Sequence, residues 1–148
     1  VLDGEEAPVE VLAYKVRKAH RNAPLDLVVV DYVQYLRTAN ERVRDIERVS
    51  KVSRVLKSLA SGLGVTVLGL AQLSRGVEQR EGQPPVLSDL RDSGQLEQDA
   101  DIVCFIHRPA LYSNNEDPQR VQILVRKQKL GPTGEVEVRW VPEMAEFA

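Results

Sequence analysis

The sequence is poor in several features, and each shortage excludes something. It has one cysteine, Cys104, so no internal disulfide can form, and a single thiol suits a reducing cytosol. No apolar run approaches the roughly 20 residues of a membrane span. The start, Val1-Leu2-Asp3-Gly4, lacks an initiator methionine and the basic-then-apolar pattern of a secretory signal. The missing methionine reads as the mark of a fragment from a longer chain. Excess charge of either sign is absent too: 20 Lys and Arg face 22 Asp and Glu, a formal net charge of −2. A freely acting nucleic-acid binder carries a basic footprint. Any DNA contact must therefore be local, made by a few residues on one loop or face. No internal repeat or low-complexity segment is present.

What remains is 148 residues, 43% hydrophobic and 28% charged, which fits one globular domain with an ordinary core. Val9, Leu12, Val16 and Ala19 recur at helical spacing after Pro8 and predict a helix from Pro8 to Arg21. Leu27-Val28-Val29-Val30 is a short run of mostly β-branched residues without alternation. It reads as a strand buried on both faces, as in a parallel sheet. Val43, Ile46, Val49, Val52, Leu56, Leu59 and Leu63 form one apolar stripe of a long helix. Arg44, Glu47, Arg48, Lys51, Arg54 and Lys57 form its opposite, solvated face. Gly62 and Gly64 end it. Val65 to Leu70 is a second buried strand, so strand, helix and strand make a βαβ unit with parallel strands. Residues 72 to 88 are polar and too long for an ordinary connection; such loops are functional or disordered. A third strand is expected from Asp101 to His107. Val121 to Arg126 and Glu135 to Val141 flank Leu130-Gly131-Pro132-Thr133-Gly134 and read as a hairpin with a long turn.

Four segments carry chemistry. Asp31 ends the first buried strand, and ligands of open α/β sheets sit at the carboxyl ends of strands. A carboxylate there can hold magnesium through water, since magnesium keeps several waters and takes one or two carboxylates. Alone, four apolar residues followed by Asp also fit a structural cap. Gln72 ends the second strand; if the strands are neighbours, it emerges on the same sheet edge as Asp31. A neutral amide there could detect a γ-phosphate, although a polar residue opening a loop is the plain alternative. Arg91, Asp92 and Gly94 lie in Ser88-Asp89-Leu90-Arg91-Asp92-Ser93-Gly94. Arg91 and backbone N–H groups near Gly94 fit a phosphate contact, and a surface ion pair fits equally. Arg126, Lys127 and Lys129 enter a Gly-Pro turn. They are either solvated or, at a hairpin tip, able to reach a neighbouring subunit's active site as an arginine finger does.

Read in order, the segments lose much of this ambiguity. Asp31-Tyr32-Val33-Gln34-Tyr35-Leu36, Ala71-Gln72-Leu73-Ser74-Arg75-Gly76-Val77-Glu78-Gln79-Arg80, Ser88 to Gly94, Glu97-Gln98-Asp99-Ala100-Asp101, Lys127-Gln128-Lys129 and Gly131-Pro132-Thr133-Gly134 closely resemble the DnaB family of hexameric replicative helicases. The resemblance covers nearly the whole chain, and the central stretch is highly specific. It implies an α/β, RecA-like (P-loop NTPase-type) motor domain with a mostly parallel sheet, flanking helices and a C-terminal β-hairpin. Residues 1–148 would be the portion after the phosphate loop. The family forms a homo-hexameric ring around single-stranded DNA and hydrolyses ATP with Mg2+ at subunit interfaces, moving 5′ to 3′. Primase and a helicase loader are the implied partners, and the location is cytoplasmic, in a bacterium or encoded by a phage. The resemblance makes Asp31 the Walker B residue on the magnesium shell and Gln72 the link from the γ-phosphate to the DNA loops. Arg91, Asp92 and Gly94 hold the DNA backbone, and Lys127 and Lys129 are cations inserted into the neighbour's ATP site.

The chain departs from the family pattern in three places. No Gly-x-x-x-x-Gly-Lys-[Ser/Thr] occurs in the 148 residues, so this chain alone is expected neither to bind ATP tightly nor to hydrolyse it. Lys129 stands where the family carries the arginine finger; it keeps the charge and loses the planar fork, unless Arg126 stands in. Asp92 replaces a glutamate. Two other readings stay open: a non-enzymatic module that docks on a helicase ring, and another RecA-like ATPase of the recombination or clock type.

Overall fold

The structure, a computed structural model, describes residues 7–39, 44–77, 80, 82–113 and 115–148, and not the side chains of Arg75, Arg91, Asp92 and Ser93. Val43 of the helical stripe and Glu78-Gln79 therefore lie outside the described residues. The chain divides into two compact units, Val1–Gln72 with Asp92–Asp99, and Leu73–Arg91 with Ala100–Ala148.

In the first unit, helix α1 spans Val9–Asn22. Pro8 caps it; proline needs no N–H partner there, and its carbonyl accepts the Leu12 N–H at 3.1 Å. The buried stripe is Val9, Ala13 and Val16, with Leu12 only partly buried and Ala19 exposed. Helix α2, Asp45–Leu63, buries Val49, Val52, Leu56 and Leu59. Ile46, at its open end, is exposed. Gly64 ends α2 in the left-handed region at φ 65°, where its N–H meets the Ala60 carbonyl.

Strands β1, Leu27–Val30, and β2, Thr66–Gly69, pair in parallel from Leu27↔Thr66 to Val30↔Gly69, as the βαβ pattern predicts. Their inner face, Val28, Val30 and Val67, packs on the helical core. The outer face differs from the expectation of burial on both sides: Leu27, Val29 and Leu68 are exposed. An unbroken apolar run implies layers on both faces, and among the described residues helices cover only one. Helix α3, Gly94–Asp99, lies on α2. There the buried Ser53 hydroxyl donates to Asp99 at 2.7 Å, and the Gln95 side-chain amide donates to the other Asp99 oxygen at 2.9 Å.

The second unit is one antiparallel sheet in the order β3-β4-β5-β6: Ile102–His107, Arg120–Gln128, Gly134–Val141 and Glu146–Phe147. The expected hairpin is β4–β5. The α/β class and the hairpin hold, but among the described strands only β1 and β2 are parallel. The third strand, β3, runs antiparallel to β4. Its own residues give the reason: Val103, Phe105 and His107 are buried while Ile102, Cys104 and Ile106 are exposed, the alternation of a one-faced antiparallel strand. Leu90, Val103, Phe105 and Leu124 form the core of this unit. Among the described residues, no helix is long and apolar enough to cross a membrane.

Candidate functional site

The parallel pair delivers Asp31 and Gln72 to the same end of one small sheet. Past the last paired residues the Leu70 N–H still donates to the Val30 carbonyl at 2.9 Å, and the Val33 N–H donates back to the Leu70 carbonyl at 2.8 Å. Asp31 lies between these rungs and is exposed. The chain then tightens into a 3-10 turn, Val33–Tyr35, with Val33 fully buried. A Cβ on Gly69 would stand 2.9 Å from Val33 Cγ2, so only glycine lets the turn approach β2 this closely.

Gln34 on that turn holds Gln72. Its Nε2 donates to the Gln72 carbonyl at 2.8 Å, and the Gln72 N–H donates to its Oε1 at 3.2 Å. These bonds engage the Gln72 backbone and make no use of its side-chain amide. Arg48 secures the other side of the turn, donating to the carbonyls of Gln34 at 2.6 Å and Leu36 at 2.7 Å. This corrects the reading of the basic face of α2 as wholly solvated. Arg48 is partly buried, and Arg54 donates to the Gln95 side chain at 3.1 Å.

The Arg91 segment is helical: a 3-10 stretch, Leu87–Ser93, bends at Leu90 and leads into α3 at Gly94. The side chains of Arg91 and Asp92 lie outside the described residues. Gly94 is exposed, and an added Cβ there meets nothing within 4 Å. Asp89 is the fixed point beside them. It is buried, pairs with Arg80 and accepts the Val86 N–H at 2.7 Å. Its carbonyl takes the Ser74 N–H at 3.1 Å. Among the described residues of the long polar loop, Ser74, Arg80 and Val86 are thus tied to Asp89.

Of the hairpin cations, Arg126 pairs with Glu135 at 2.9 Å across the hairpin, at the point where the β3–β4 register shifts and β4 carries one residue more than β3. Lys127 stands within β4, opposite Val103. Lys129 lies one residue beyond the strand, where its ammonium meets Asp101 at 2.7 Å.

The sequence matches the DnaB-like helicase C terminal domain family over residues 1–148. The chain belongs to that family. The replicative DNA helicase DnaC of Bacillus subtilis (strain 168) is 39% identical over 141 residues, which are 94% of this chain and 31% of that protein. The replicative DNA helicase DnaB of Buchnera aphidicola subsp. Schizaphis graminum (strain Sg) is 42% identical over 130 residues, 87% of this chain and 28% of that protein. This DnaB-like chain therefore spans under a third of these curated relatives. A solved structure superposes closely as well. It is a DnaB-like replicative helicase studied with primase, with TM-score 0.88, 40% identity and 95% of this chain on 34% of that one.

Within this DnaB-like domain, sequence reasoning missed Gln34, Arg48, Asp89 and Asp101 as residues with defined partners. Gln34 and Asp89 stood inside the quoted motifs but carried no role. For Arg48 the signal was its place beside Val49, at the boundary of the apolar stripe. Nothing in the sequence marked Asp101 as the partner of Lys129, because the β3–β4 pairing that joins them was not foreseen.

Proposed function

We propose that the full-length protein is a homo-hexameric replicative DNA helicase that couples ATP hydrolysis to 5′-to-3′ movement on single-stranded DNA, and that this chain supplies part of its motor. The observation that carries the proposal is the shared sheet end of Asp31 and Gln72, fixed by Gln34 and Arg48. Among the described residues no group of three or more His, Cys, Asp or Glu could hold a metal alone. One exposed carboxylate instead fits a magnesium ion that keeps its waters and takes its other ligands from phosphates. Bound there, magnesium neutralises charge developing on the transferred phosphoryl group. Asp31 would hold that ion through water, and Gln72 would offer a neutral side-chain amide to the γ-phosphate. Lys127 and Lys129 face the neighbouring subunit's nucleotide. Arg91, Asp92 and Gly94 hold DNA through its backbone, which suits a motor that must pass over any sequence. Primase and a loader are its partners, and its place is the cytoplasmic replisome of a bacterium or of a phage.

The test is Asp31→Asn in the full-length protein, read as DNA-stimulated ATP turnover. A loss of about 10²-fold or more is expected, the scale of several kcal/mol of metal-borne charge stabilisation. Wild-type turnover would remove Asp31 from the site. The 148-residue chain alone carries no phosphate loop, and no turnover is expected from it.

A further inference from the structure

The β3–β4 ladder runs one rung past its last paired residues, Ile102↔Gln128. The Lys129 N–H donates to the Asp101 carbonyl at 3.0 Å, and the Lys129 ammonium meets the Asp101 carboxylate at 2.7 Å. Backbone and side chain thus join the same two residues, where the chain leaves β4 for the turn of the hairpin. We propose that Asp101 holds Lys129 in reserve, as an internal counter-ion that the phosphates of a neighbouring subunit's nucleotide must displace before Lys129 can act. The proposal rests on reading Lys129 as the cation presented to that nucleotide.

Three properties of the pair support an exchange rather than a permanent structural bond. Both side chains are about half exposed, 48% for Lys129 and 58% for Asp101, so the contact is weak and cheap to break. The backbone rung fixes the base of Lys129, and its four-carbon stem can swing while the strand stays in place. The partners also differ in charge: a single carboxylate competes with a triphosphate that carries several negative charges. Lysine suits this use. An arginine could grip the carboxylate through two parallel bonds, whereas an ammonium makes a compact point contact that is readily exchanged. Arg126 shows the contrast within the same hairpin, since it is partly buried and committed to Glu135.

The experiment measures kcat/KM for ATP without DNA in the assembled full-length ring. The variants are Asp101→Asn, Asp101→Ala, Asp101→Glu, Lys129→Ala and the double variant Asp101→Asn with Lys129→Ala. Removing the carboxylate should raise kcat/KM about two- to fivefold in both Asn and Ala variants, the range an exposed ion pair represents. Glu should restore the wild-type value. In the Lys129→Ala background Asp101→Asn should change nothing. A fall or no change in both Asn and Ala variants, while Lys129→Ala lowers kcat/KM, overturns the reserve role and leaves Lys129 in its site. Wild-type kcat/KM in Lys129→Ala instead overturns the underlying reading of Lys129, and the reserve role with it.

Discussion

The side chain of Gln34 closes a two-point clasp on the backbone of Gln72, donating to its carbonyl at 2.8 Å and accepting its N–H at 3.2 Å. The two residues follow different strands and are 38 apart in sequence. The clasp makes one unit of the chain after Asp31 and the chain at Gln72.

Arg48 should matter more than its neighbours on α2. It is expected that Arg48→Ala lowers unfolding free energy by roughly 2 kcal/mol, because two carbonyls lose a charged donor, discounted for partial exposure. Arg48→Lys should recover part of this, since one ammonium can still reach a carbonyl. Urea denaturation checks both. A cost below about 0.5 kcal/mol, the usual size for a surface cation, would return Arg48 to the solvated face.

Gly69→Ala should cost about 1–3 kcal/mol by overpacking against Val33, which is 1% exposed. The signature is coupling. In a Val33→Ala background the added methyl has room, so the two costs should combine to less than their sum. Strict additivity would show that the close approach is not where the strain arises.

Arg80→Ala should cost about 3 kcal/mol, near the low end for a broken buried pair, because Arg80 is itself partly exposed. Asp89→Asn should cost less, since it removes the charge along with its need for a partner. If Arg80→Ala proved the milder of the two, Asp89 would not depend on Arg80 for its charge.

His107 sets a pH dependence. Burial first, then the charges of Arg120 and Arg126, hold its imidazole below its ordinary 6.5, so it is neutral in the fold at pH 7. As pH falls below 6.5 the unfolded chain takes up this proton first, and stability falls until the folded value is passed. Thermal melting between pH 7 and pH 5 should show this fall, and His107→Phe should reduce it. An identical pH profile for both proteins would exclude His107 as its source.

The helices and the parallel pair were legible because their patterns are local. The 3.6-residue stripe of Val49, Val52, Leu56 and Leu59 needs no partner to be read, and neither does the β-branched run before Asp31. Pairing was not legible in the same way. The Ile102–His107 alternation marks a strand with one buried face, but it does not say which neighbour that strand pairs with. The contacts that hold Gln72 in one unit and Lys129 in the other are long-range hydrogen bonds involving polar side chains, Gln34 with Gln72 and Asp101 with Lys129. Polar spacing along one segment does not specify a partner many residues away.

The uncovered side of the β1–β2 pair has a practical consequence. Leu27, Val29 and Leu68 there meet water, together with Leu70 just beyond β2. Such a surface drives chains together through solvent entropy, a force that weakens on cooling. In sedimentation runs the 148-residue chain should therefore associate more at 30 °C than at 5 °C, the reverse of what polar contacts alone would give.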